Sequence, residues 1–176
     1  MRIFLIMKRR TIIIGFLSVV FAATNAKAAV GETIAQLIAR YGEPEGGSLA
    51  LMLGIGEWKT KQGGKVTAML EDGKAVVISY SPDDSGGGGV DGGTKNTLLE
   101  RSLPDGQKWV NGKAPKHFVL SHGADPKEID QVQFWETKDG KLWAMYNPEK
   151  KELWVATSQG FKKIVSLAES KEKGGF

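Results

Sequence analysis

The apolar positions of this chain change period along its length, and each change marks an element. In "GETIAQLIARYGEP", Ile34, Leu37, Ile38 and Tyr41 fall at i, i+3, i+4 and i+7, one stripe of an α-helix. Gly42 offers a left-handed stop and Pro44 bars continuation, so the pattern predicts a helix over 31–41. In "KVTAMLEDGKAVVISYSPD" the period falls to two and reads as a β-hairpin. A three-residue turn with Gly73 in the left-handed bulge position puts Val66, Ala68 and Leu70 on one face with Val76, Ile78 and Tyr80. "SLALMLGIGEW" has no clean alternation, and reads either as a buried strand or as an edge that takes a partner.

Three more strands close the chain, "QVQFWET", "KLWAMYN" and "ELWVATS", before a helix over "SQGFKKIVSLAES" with the stripe Phe161, Ile164, Val165 and Ala168. A bulged turn at Lys138-Asp139-Gly140 sets Trp135 across from Trp143, and a four-residue turn over 147–150 sets Trp143 across from Trp154. Val132, Phe134, Leu142, Ala144, Tyr146, Leu153 and Val155 then form the opposite, aliphatic face. Trp135, Trp143, Met145 and Trp154 are the candidate interaction face. Two readings stand side by side. The indoles are core if both faces are covered, the usual fate of large aromatics. If the face is open they form a platform for a partner, because each ring buries much area at little conformational cost.

"DGKAVVISYSPD" from Asp72 is echoed by "DGKLWAMYNPE" from Asp139, and the helix-compatible "KNTLLERSLPDG" follows the first helix at a similar offset. The chain therefore reads as an α+β protein of two helix-plus-hairpin units, 29–82 and 97–176, with helices on one face of a small antiparallel sheet. Between them lies "DDSGGGGVDGGTKN". It lacks the Lys-Ser/Thr of a phosphate-binding loop and holds only one near-match to a calcium repeat, so 83–96 reads as a glycine-rich linker.

Charge enters the picture once the first 28 residues are set apart. Lys8, Arg9 and Arg10, an apolar run over 12–23 and Ala26-Lys27-Ala28 form the pattern of a secretory signal peptide cleaved between Ala28 and Ala29. The run is too short to cross a bilayer, which takes about 20 residues. The segment carries five basic residues and no acid, so the remaining chain falls from +4 to −1. That balance gives no support to nucleic-acid binding. The expected location is the periplasm or the outside of the cell. With no cysteine, thiol catalysis, zinc thiolates and a lipobox anchor are excluded, and stability must come from packing.

Candidate chemistry is sparse. His117 and His122 lack the spacing of a zinc hydrolase, and no Gly-x-Ser-x-Gly elbow is present. Asp83, Asp84 and Asp91 fall in the linker, and Glu71, Asp72 and Glu136 sit at hairpin ends. No cofactor or metal is expected. The residues point to a non-catalytic protein-binding or envelope-associated role, its partner another extracytoplasmic protein or envelope component. Carbohydrate binding through stacked indoles and a hydrolase using those carboxylates are the alternatives.

Gly31-x-Thr33-x3-Leu37-x3-Tyr41-Gly42-x-Pro44 resembles the signature of the SmpA/OmlA (BamE-like) envelope proteins. The doubled helix-plus-sheet plan is similar to the β-lactamase inhibitor protein fold. The resemblance implies an α+β fold with helices on one sheet face, and a non-catalytic binding role on the other.

Overall fold

The computed structural model describes residues 30–61, 63–113 and 131–173. The first helix, α1 (Ile34–Tyr41), owes its limits to its caps. Thr33 closes a capping box with Gln36, whose amide oxygen accepts the Thr33 N–H at 2.8 Å. Gly42, at φ 88°, donates its N–H to the Ile38 carbonyl and ends the helix. Leu37 is fully buried beneath it.

The run read as one strand divides in two. Residues 47–52 form the short helix α2 (Gly47–Met52), and only the following β1 (Ile55–Lys59) is extended. Gly46, Gly47 and Gly54 all have positive φ, which L side chains resist, and they bracket α2 at both ends. β2 (Gly64–Glu71) and β3 (Lys74–Pro82) form the first hairpin. A loop then leads to α3 (Gly92–Arg101), β4 (Trp109–Asn111), β5 (Gln133–Thr137), β6 (Leu142–Asn147), β7 (Glu152–Thr157) and α4 (Ser158–Lys173). The strands make one antiparallel sheet in the order β1-β2-β3-β7-β6-β5-β4, so the protein is α+β. Among the described residues no helix is long and apolar enough to cross a membrane.

Directly paired residues share a face, so register decides burial. The inner face carries Trp58, Val66, Ala68, Leu70, Ile78, Tyr80, Ala144, Tyr146, Leu153 and Val155, packed against Leu37 of α1 and Leu99 of α3. The outer face holds a smaller cluster, Val76, Val77 and Ala156, beneath Phe161 and Ile164 of α4.

The first hairpin turns differently from the expectation. Glu71 pairs with Lys74 across a two-residue Asp72-Gly73 turn with φ of 51° and 72°. The register then shifts between Met69 and Leu70, leaving Val76 as the extra residue of a β-bulge. Val76 thereby joins Val77 on the outer face, and Ala75 takes the inner place expected for it. Gly160 of α4 lies so close over the Val76 carbonyl that no Cβ could fit.

The glycine-rich stretch is a packed connection rather than a flexible linker, and α3 begins within it. The Asp83 carboxylate accepts the N–H groups of Ser85 and Gly87 and the Ser85 hydroxyl, at 3.0, 2.8 and 2.7 Å. Val90 is buried; its N–H donates to the Lys151 carbonyl at 2.8 Å and its carbonyl accepts the Tyr146 hydroxyl at 2.9 Å. Asp91 caps α3 through the Thr94 N–H. Gly64 faces the Gly88 carbonyl, and Gly89 faces Pro82 and Lys151, too closely for side chains. These glycines permit close approach of backbone to backbone.

Candidate functional site

The three C-terminal tryptophans do not form one row. Four residues, 138–141, connect β5 to β6, so Trp135 pairs with Ala144 and Glu136 pairs with Trp143. This is one residue away from the expected register, and it sends Trp135 to the inner face and Phe134 to the outer one. The cause is the bracing of the turn by side chains. Thr137 Oγ1 donates to Asp139 Oδ1 at 2.7 Å and accepts the Leu142 N–H at 3.1 Å, while the Lys141 N–H reaches Asp139 at 3.2 Å. Between β6 and β7 the pairing is Met145 with Trp154, two residues from the expectation, and a shift of two leaves the faces unchanged. Trp143, Met145 and Trp154 therefore do share the outer face.

Helix α4 covers that trio. Trp143 stacks on Phe161 with centroids 5.1 Å apart and planes inclined at 16°. Trp154 packs with Phe161 and Ile164, and its Nε1–H is buried without a hydrogen-bond partner among the described residues. The crevice between α4 and the sheet measures about 20 Å3, room for one water-sized sphere and far too little for a sugar ring. On the inner face Trp135 lies beside Lys95, whose ammonium is 5.3 Å from the ring centroid. Trp58 is buried, with its Nε1–H donated to the Gly42 carbonyl at 2.8 Å, and Trp109 donates likewise to the Leu99 carbonyl. None of the five tryptophans is exposed.

The carboxylates named from the sequence are dispersed. Glu71 ends β2 and Glu136 lies near the end of β5, four strand positions apart, roughly 19 Å at the spacing of strands in a sheet. They cannot flank one scissile bond. Asp72 lies in the β2–β3 turn, and Asp83 and Asp91 are occupied in loop and cap. Hydrogen bonds hold these last two below the usual carboxylate range, chiefly from Ser85 to Asp83 and from the Thr94 N–H to Asp91. Ala28, Ala29, His117 and His122 lie outside the described residues. No group of three potential metal ligands occurs among the described residues.

What the structure does expose is a patch that alternation could not reveal. Leu49, Met52 and Leu53 are 67, 84 and 76% exposed, and Ile55 is 45% exposed. They belong to α2 and the start of β1, at one edge of the sheet, and α2 buries none of its residues. Beside Ile55 on β1, Glu57 is bridged to Glu45, which also binds Lys59 at 2.9 Å. The Glu45 carboxylate holds the Lys59 ammonium above its ordinary pKa. The sequence signal was the apolar run without period two, bracketed by glycines. No known protein family, curated protein or solved structure matches this chain.

Proposed function

We propose that this chain is an exported, non-catalytic protein-binding or envelope-associated module that meets its partner through Leu49, Met52, Leu53 and Ile55. The observation that carries this reading is that four large apolar side chains share one sheet edge in the open. Scattered apolar residues on a surface need no explanation, whereas a contiguous cluster marks an interaction site. Glu45 and Glu57 against Lys59 border the cluster, so it suits a protein with an apolar centre and a basic border. An anionic lipid surface would be repelled by the same rim. The signal-peptide pattern supports export, to the periplasm or beyond the cell. The likeness of Gly31 to Pro44 to the BamE-like envelope proteins supports a binding role. On the same reading the two helix-plus-hairpin units, 29–82 and 97–176, would join where β3 pairs with β7.

The test is a cross-linked pull-down of the tagged full chain from its native envelope and medium, beside the variant Leu49→Ser/Met52→Ser/Leu53→Ser. Since these side chains hold no core contact, the variant should melt within about 2 °C of the parent. One stoichiometric protein partner should be recovered with the parent and fall at least about tenfold with the variant. Equal recovery by both chains would refute the patch as the binding surface. Cosedimentation with phosphatidylglycerol vesicles, lost in the variant, would instead make the patch a lipid contact and overturn the reading.

A further inference from the structure

Helices α1 and α3 wall a cleft of about 670 Å3 on the inner face, and none of the four patch residues lines it. That volume lies within the 300–1,000 Å3 of ordinary small-molecule sites. α3 presents Asp91, Thr94, Leu98 and Arg101 to it, successive positions of one helix face, while Arg40 and Tyr41 come from α1 and Tyr80 from the floor.

The hydrogen-bonding capacity of this cleft does not balance. The Tyr41 and Tyr80 hydroxyl oxygens are 3.4 Å apart, and Tyr80 is only 7% exposed. One hydrogen bond between two hydroxyls consumes one of their two protons, so the second O–H has no acceptor among the described residues. Desolvation raises the pKa of both phenols, Tyr80 well above the ordinary value, and both remain donors at neutral pH. Arg40 is engaged by Glu32 and lies over the Tyr41 ring at 5.9 Å. Arg101, in contrast, makes no ion pair among the described residues, and it lines the same cleft as Tyr41 and Tyr80. The acid in the cleft, Asp91, lies ten residues earlier on α3, about 15 Å along the helix axis, and its carboxylate is already accepting the Thr94 N–H. One end of the cleft is thus rich in donors and cationic, with Leu98 beside it as an apolar wall.

We propose that this cleft binds a small organic carboxylate, its anionic group held by Arg101 and the Tyr41–Tyr80 hydroxyl pair and its apolar body laid along Leu98. A carboxylate supplies the acceptors that the second phenol O–H and the Arg101 guanidinium lack, and displaces nothing already paired. The site is independent of the protein-binding patch, and either can fail without the other.

Sodium octanoate and sodium benzoate serve as probes, with octanamide as the uncharged control, titrated into the full chain by calorimetry and amide chemical shift. Octanoate should saturate with a Kd of about 1 mM or tighter, with the largest shifts at Tyr41, Tyr80 and Arg101. Octanamide should bind at least about tenfold more weakly. Arg101→Gln, on an exposed side chain whose loss threatens no core contact, should weaken octanoate about tenfold and leave octanamide unchanged. Tyr41→Phe/Tyr80→Phe, which removes both hydroxyls and with them the surplus proton, should weaken both carboxylates. The proposal is overturned if neither carboxylate saturates by about 10 mM. It is equally overturned if acid and amide bind alike, if Arg101→Gln binds as the parent, or if the shifts centre on Leu49 to Ile55.

Discussion

The β2–β3 and β5–β6 hairpins both reverse at Asp-Gly-Lys, yet they are built on different turns. In the first, Asp72 and Gly73 alone span the gap, both at positive φ, and the register is corrected four residues later by the bulge at Val76. In the second, four residues span the gap, Gly140 alone has positive φ, and the Asp139 side chain is tied to Thr137 and Lys141. What differs is the residue before the turn. Glu71 makes no side-chain bond into its loop among the described residues, whereas Thr137, 1% exposed, bonds both Asp139 and the Leu142 N–H. A local tripeptide therefore selects a reversal of direction, and its flank selects which side chains face which way.

The largest effect should come from removing Glu136. With the 138–141 turn intact, the strand would slip by one residue, bring Trp135 opposite Trp143 and carry Phe134 inward, breaking the contacts of Trp135 with Lys95 and the inner core. A loss of more than about 4 kcal/mol in urea unfolding is expected, enough to unfold a marginal domain. A variant folded near parental stability would show that packing, and not the turn, sets this register.

Thr137→Val comes next. It keeps the shape but strands the buried Leu142 N–H, at a cost of about 2 kcal/mol by the same measurement. A change in the other turn, Asp72→Asn, should shift stability by less than about 0.5 kcal/mol, since no bond is lost and Asn accepts positive φ. Equal costs at the two turns would erase the distinction drawn between them.

The smallest effect is one of pH. The Thr137 hydroxyl, with the Lys141 N–H, holds the Asp139 carboxyl below the usual carboxylate range. Because the folded value is depressed, its stabilisation is present above the unfolded pKa of about 4 and is lost as pH falls through the folded value. Asp139→Asn should flatten the fall in melting temperature between about pH 4 and pH 2, and Asp72→Asn should not. An unchanged slope in Asp139→Asn would mean that the bond is not made by the ionised acid in solution.

Much of the architecture was legible because it rests on local chemistry. Thr33 with Gln36 and Gly42 with Ile38 bound α1 through hydrogen bonds between neighbours in sequence, and the stripe Phe161–Ile164 gives α4 one apolar face to pack. The glycine-rich stretch was harder to read. Composition alone cannot separate a glycine that gives freedom from one that lets two backbones touch, as Gly64 and Gly88 do. The exposed patch was hidden for a related reason, since "SLALML" carries enough apolar residues for a buried strand and is instead a short helix set between glycines. Nor could spacing along the chain bring Tyr41, Tyr80 and Arg101 together, because they come from three elements.

By itself, then, the sequence determined the C-terminal stop of α1, the succession of strands, the α+β class and the sharing of one face by Trp143 and Trp154, all of which depend on nearest neighbours or on parity. Only the tertiary structure decided that α4 covers those indoles, that Trp135 faces the other way, and that four apolar side chains near β1 stay in the open. The facing of Trp135 turns on a single-residue register that side-chain bonds across the 138–141 turn set, which residue spacing alone does not reveal. Which face each helix covers is settled by packing across the whole sheet, and is not written in any one segment.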